Sequence, residues 1–387
     1  HGVQIINNVA SRFYFGIGAF WSARRAFRAI YVAGFIALIS DGIGFLTLMV
    51  IDIPVIQELA MTASIGVGVL IFTNLLLMPI LLSYTGLTQS CMKYIKRRQQ
   101  RPSRLFPFIA RFASKPFAPA TIVVAIALFA GGFVGSKDLR IGDLDPGAPE
   151  LRPDSRYHLD NAFLTENYST STDVFVVMVE TLPQACGNHA TISAIDHFQA
   201  VMSNTPGVQS VISLVNISKR VTMAMNEGNP KWHTLSRNQY ILNNSLQHVP
   251  TSLINTDCSM VPVLIFLNDH KAETLQAVTR DVETFAAEYS TDEIQFILAA
   301  GNAGIEAATN IVISTAQYQM LALVYSVVAF LVFLTFRSWR AVVCIIVPLA
   351  LTSVLGQALM AALGIGVKVA TLPVIALGVG IGVDYGI

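Results

Sequence analysis

The sequence predicts a membrane α-helical bundle with an inserted α+β exoplasmic domain of ferredoxin-like, split βαβ type. Three observations carry this. Hydrophobic residues make up 53% of the 387 positions and charged residues only 13%, against about 25% charged in ordinary soluble domains. The apolar residues gather into runs that approach or exceed the roughly 20 needed to cross a bilayer as a helix. Between the third and fourth runs, residues 136–316 return to the mixed composition of a soluble domain. A soluble protein with unusually apolar core helices would need more polar cover than this chain has.

Six spans follow in order: Ile30–Val50, Ala60–Ser83, Pro116–Gly135, Gln317–Phe336, Ala341–Gly364 and Val369–Ile387. They divide the chain into a cytoplasmic linker or amphipathic segment (1–29), two spans (30–83), a basic linker (84–115), one span (116–135), the α+β domain (136–316) and three spans (317–387). The chain opens on His1 and closes inside an apolar run at Ile387, so an excerpt of a longer protein is expected, with its last span cut short.

Orientation follows from the excess of Lys and Arg on cytoplasmic loops. Arg24, Arg25 and Arg28 precede the first span. Lys93, Lys96, Arg97, Arg98, Arg101 and Arg104 lie between the second and third, and Arg337 and Arg340 between the fourth and fifth. Alternating spans put all three clusters on one side. The opposite side receives Asp52, Glu58 and the α+β domain, which is therefore exoplasmic, and periplasmic if the membrane is the inner membrane of a Gram-negative bacterium. A net charge of +1 calls for no nucleic-acid partner.

Within the domain, Thr172–Glu180 is a β-branched apolar run and reads as a strand. A helix follows at about Thr191–Asn204, a second strand at Gly207–Val215 and a helical insertion around Ser236–Val249. Met260–Leu267 reads as a strand, Ala272–Tyr289 as an amphipathic helix and Glu293–Ala299 as the last strand. Two βαβ units in this order are what a split βαβ fold requires. Asn302–Phe336 reads as one long helix running from the domain into the membrane, a connector or a rigid transmitter of motion. Cys186 and Cys258 fall in the exoplasmic domain, where an oxidising compartment would permit a disulfide; two buried thiols are the alternative. The seven histidines are scattered and no Cys/His spacing resembles a zinc site, so no metal is expected.

The sixth span ends in Gly378-Val-Gly-Ile-Gly-Val-Asp-Tyr-Gly-Ile387. Gly378, Gly382 and Gly386 form a small-residue stripe of the kind that lets membrane helices approach closely. Gly380 lies on another face, one turn before Asp384, so the helix is expected to be crowded on two sides. An acid there costs about 2.5–3.5 kcal/mol on insertion scales, and burial makes its proton easier to keep near neutral pH. Asp384 is therefore a proton-relay candidate, with a structural carboxylate bonded to a hydroxyl or Lys as the alternative. Asp41 lies mid-span on a face with Gly34, Ala37 and Gly44 and is open to ion coupling or a structural bond. Asn74, in the second span, reads as a helix-bridging hydrogen bond. The GxGxG spacing inside a span is no dinucleotide fingerprint, and no Walker motif is present, so neither an enzyme nor a bound cofactor is expected.

The run Gly378–Ile387 resembles the fourth and tenth helices of the resistance–nodulation–division (RND) superfamily, closest to its MMPL and hopanoid-exporter branch. Ser40-Asp-Gly-Ile-Gly-Phe and the turn at Asp52-Ile-Pro-Val are similar to that branch's fifth helix. The resemblance implies helices five to ten and the second exoplasmic domain of a twelve-span protein. It also implies that Asp384 and Tyr385 belong to a proton pathway whose counterpart pair would precede His1. Asp41 departs from the small or hydroxyl residue usual there, so its role rests on burial alone. The expected function is a proton-driven exporter of a lipid-like or hydrophobic molecule, working alone, as a homo-oligomer or with a periplasmic partner. A sterol- or lipid-sensing receptor and a protein-translocation motor are the rivals. Cargo, direction and oligomeric state leave no motif.

Overall fold

The computed structural model describes residues 2–86, 88, 90, 105–112, 114–145, 147–148 and 151–386. Cys91 and the six basic residues of the second cluster lie outside the described residues, as do the side chains of Asp384 and Tyr385. Two compact units are present, His1–Leu139 with Val312–Ile387, and Arg140–Ile311.

The first unit begins with α1 (Gly2–Tyr14) and α2 (Ala19–Leu46), which tightens into a 3₁₀ turn at Thr47–Val50. Pro54, whose fixed φ suits a first helical turn, opens α3 (Pro54–Leu70). A π-helical turn over Ile71–Leu77 joins it to α4 (Met78–Thr85), which stops at Gly86 with φ of 63°. After α5 (Leu105–Phe112) comes α6 (Ala118–Gly135). One helix starts well before the point that hydropathy alone indicates: α2 begins at Ala19 rather than Ile30, because the Arg-rich turn before the apolar run is itself made of good helix formers.

The second unit carries, in order, α7 (Arg156–Asn167), β1 (Val174–Thr181), α8 (His189–Met202), β2 (Val208–Ile212), α9 (Leu214–Met225), α10 (Gln239–Leu246), β3 (Met260–Leu267), α11 (Ala272–Tyr289) and β4 (Ile294–Ala300). The four strands make one antiparallel sheet in the order β2-β3-β1-β4. Ile192, Ile195, Phe198 and Met202 on α8, and Leu275, Val278, Val282 and Phe285 on α11, repeat at helical spacing and are all buried. They pack on the inward residues of the sheet, with the Phe198 ring 5.0 Å from Phe285 and 5.1 Å from Phe296.

Some details differ from the expected elements, and α7 lies ahead of the first strand where the sequence reading places no element. The second strand stops at Ile212, because Ser213 and Asn216 form a capping box that starts α9. That helix was not foreseen in the insertion, where only the segment holding α10 reads as helical from sequence. Cys186 and Cys258 are joined by a disulfide, while Cys344 is free and exposed.

The chain continues through α12 (Asn302–Phe336), α13 (Trp339–Ala362) and α14 (Leu372–Gly386). Among the described residues, five helical stretches are long and apolar enough to cross a membrane: Ala19–Val50, Pro54–Thr85, Ala118–Asp138, Asn302–Phe336 and Trp339–Ala362. The expected sixth span, Val369–Ile387, is helical over 15 residues as α14 and falls below that length among the described residues. Large apolar side chains such as Ile122, Val123, Val124 and Ile126 face outward on α6, as a lipid-facing surface does and a water-facing one rarely does.

Candidate functional site

Two sets of ionisable residues stand out, one in each unit. In the helical unit, α2 is built for close approach along one side. Gly34, Ala37, Ser40 and Gly44 are buried there, and Ser40 is only 2% exposed. On α3, the Ser64 hydroxyl donates across to the Gly42 carbonyl at 3.0 Å, and a Cβ at Gly42 would touch Val67 at 3.7 Å.

Another neighbour of α2 is α14. A Cβ added at Gly380 would lie 2.8 Å from Asp41 Oδ1 and 3.6 Å from Asp41 Cα. The Asp41 carboxylate therefore occupies the space that any other residue at position 380 would fill. On another side of α14, a Cβ at Gly382 would run into Leu349 Cδ1 of α13. The α13 helix is in turn held to α12 by the Tyr325 hydroxyl, 2.7 Å from Ser353 Oγ, and to α6 at Gly132, where a Cβ would meet Val354 and Leu355 at 3.1 Å.

Asp41 and Gly380 thus meet, and Asp384 follows Gly380 by one turn of the same helix, about 6 Å along its axis. Two acids on crossing helices fall within one turn of each other. The glycines of the stripe differ in how closely they are approached. Gly378 is exposed and, among the described residues, has nothing within 4 Å of an added Cβ, whereas Gly380 and Gly382 are closely approached. The surroundings of Gly386 lie outside the described residues. Asn74 sits in the π-helical turn, and no hydrogen bond of its side chain is seen among the described residues. It faces Gly2 of α1, which presents no side-chain donor or acceptor.

The second set lies in the α+β unit and was missed in the sequence. Asp173 precedes β1 and His270 sits between β3 and α11, both buried at 5% and 8% exposure, with His270 Nδ1 2.9 Å from Asp173 Oδ1. Asp269 turns the chain there by accepting from the Lys271 amide and the Thr274 hydroxyl. Glu306 comes from the start of α12. Gly301, with φ of 82°, allows this because its Cβ position coincides with the Val174 carbonyl, and Asn302 clamps the helix start to Thr172 and Val174.

Asp143 comes from the segment after α6. The preceding Gly142 has φ of 113° and would place a Cβ 2.6 Å from the Asn310 amide, while the Ala272 amide donates to the Asp143 carbonyl at 2.9 Å. One ligand atom each from Asp143, His270 and Glu306 lie within 4.8 Å of one another. The hydrogen bond to Asp173 raises the His270 pKa most, and the charges of Asp173, Glu306 and Asp143 add to it. Together they outweigh burial and lift His270 to about 9, so the ring is protonated at neutral pH and donates to Asp173.

The chain matches the model of the MMPL family over residues 17–119 and 156–387. Among solved structures it is similar to the cryo-EM structure of the hedgehog release protein Disp from the water bear Hypsibius dujardini. The TM-score is 0.58 and the identity 14%, over 99% of this chain and 52% of that one. The chain spans about half the length of that protein, and at this identity the likeness concerns the fold. No match is found among curated protein sequences.

Proposed function

The chain belongs to the MMPL family, and from that premise we propose that it forms part of a proton-motive-force-driven secondary exporter of a lipid-like or hydrophobic substrate. The contact of the Asp41 carboxylate with Gly380, one turn before Asp384, carries the reading. Loading a proton on either acid removes a charge from a crossing with no space to spare, so protonation and helix fit are coupled. Tyr385 would extend the relay. The crossing assigns no enzymatic step.

On this reading the bundle lies in a bacterial inner membrane with the α+β unit in the periplasm, supported by the placement of the three basic clusters. That unit is read as ferredoxin-like, a reading supported by its two βαβ segments and its strand order. Motion of the bundle would rock it and move cargo outward. A homo-oligomer or a periplasmic partner would complete the path.

Cells expressing the full-length protein and loaded with Nile red are expected to export the dye only while a proton gradient is held. Collapse of the gradient should reduce efflux to the level of cells lacking the protein. Efflux that continues unchanged would remove proton coupling, and no protein-dependent efflux with any hydrophobic probe would favour a lipid-sensing receptor.

A further inference from the structure

We infer that the α+β unit binds one divalent cation of zinc type between Asp143, His270 and Glu306. The ligand set determines the class of ion. Calcium and magnesium take oxygen ligands, whereas one imidazole nitrogen with two carboxylate oxygens suits zinc and its first-row neighbours.

The three ligand atoms lie within 4.8 Å of one another, and a tetrahedral ion with bonds near 2.1 Å holds its ligands about 3.4 Å apart. A contraction of roughly 1.4 Å at most would close the shell. Asp143 and Glu306 are only partly buried, leaving room for a water as fourth ligand.

One feature prepares the site. Asp173 engages Nδ1 of His270, which orients the ring and leaves Nε2 as its other nitrogen. A carboxylate behind a ligating histidine is the usual outer support of such centres. The Asp143 and Glu306 carboxyl groups lie beside the same ring, each offering one oxygen to the cluster. A buried Asp–His pair satisfies itself. Two further carboxyl groups beside the same ring supply the oxygen ligands, and a cation bound there would displace the Nε2 proton of His270 to solvent.

The four residues come from the start of the unit, the segment before β1, the loop before α11 and the first turns of α12. A bound ion would therefore pin the segment entering the unit to the helix leaving it. This inference does not depend on proton-driven transport.

The test is calorimetric titration of zinc chloride into the full-length protein, purified in detergent and stripped with a chelator. Wild type should bind one more equivalent than an Asp143→Asn/Glu306→Gln variant and melt several degrees higher with zinc. Asp173→Asn should weaken binding about 10- to 100-fold, the range for loss of an outer support. Equal binding by wild type and the double variant would overturn the assignment. If the variant fails to fold, cobalt binding to wild type decides. A visible ligand-field band with one histidine nitrogen in the shell supports the site, and the absence of any such band refutes it.

Discussion

Serine at both Cys186 and Cys258 is expected to destabilise the α+β unit by about 4 kcal/mol, by the chain-entropy relation for a bridge between residues 72 apart. The segment closed by the bridge includes α8, β2, α9 and α10, most of which loses a constraint in the unfolded chain when the bond is absent. The native geometry barely depends on the bond. Thr181, Gln184 and Cys186 already donate their amides to the carbonyls of Ser259, Asp257 and Cys258. Cys186 is fully buried, so a serine hydroxyl there adds a desolvation cost. Domains of this size hold roughly 5–15 kcal/mol in total, so between about a quarter and four-fifths of the margin would go. Urea unfolding followed by near-ultraviolet circular dichroism reads the change, and a loss below about 1 kcal/mol would contradict the assigned constraint.

Alanine at Gly380 should be the costliest of three neighbouring glycine substitutions in α14. Its Cβ meets the Asp41 carboxylate, a short side chain beside its own backbone, so the α2–α14 crossing must open. Overpacking of this kind typically costs about 1–3 kcal/mol. Gly382→Ala meets only the flexible end of Leu349 and should cost less, and Gly378→Ala meets nothing and should be nearly neutral. Thermal melting of the detergent-solubilised full-length protein gives the order. Adding Asp41→Ala to Gly380→Ala should recover much of the loss, because the obstructing atom is gone. Equal melting temperatures for the three single variants would show that α14 does not pack on Asp41.

Both predictions separate what the sequence carries from what only the fold reveals. The spans are legible because apolar length is a local property, and β3 and α11 coincide with the runs that mark them. Helix ends are less legible, since Arg24, Arg25 and Arg28 continue the helix that hydropathy starts at Ile30. The unforeseen α9 follows a strand with no break in apolar residues, and only the Ser213 cap marks the change.

The glycines of the last span show the limit differently. Their period says which residues share a face, but not which face has a neighbour, so Gly378 and Gly380 could not be ranked. Asp143, Asp173, His270 and Glu306 lie far apart in sequence, and no spacing rule joins them. The one local hint was the Asn-Asp-His-Lys turn at 268–271 ahead of an amphipathic helix.

Proton flux in liposomes reconstituted with the full-length protein tests the central claim most directly, comparing wild type with Asp384→Asn at matched protein and the same imposed pH step. Substrate-dependent proton entry in the wild type and a loss of at least about tenfold in the variant, equivalent to 1.4 kcal/mol, is the predicted result. Undiminished flux through Asp384→Asn would mean that the acid beside the Asp41–Gly380 crossing carries no proton.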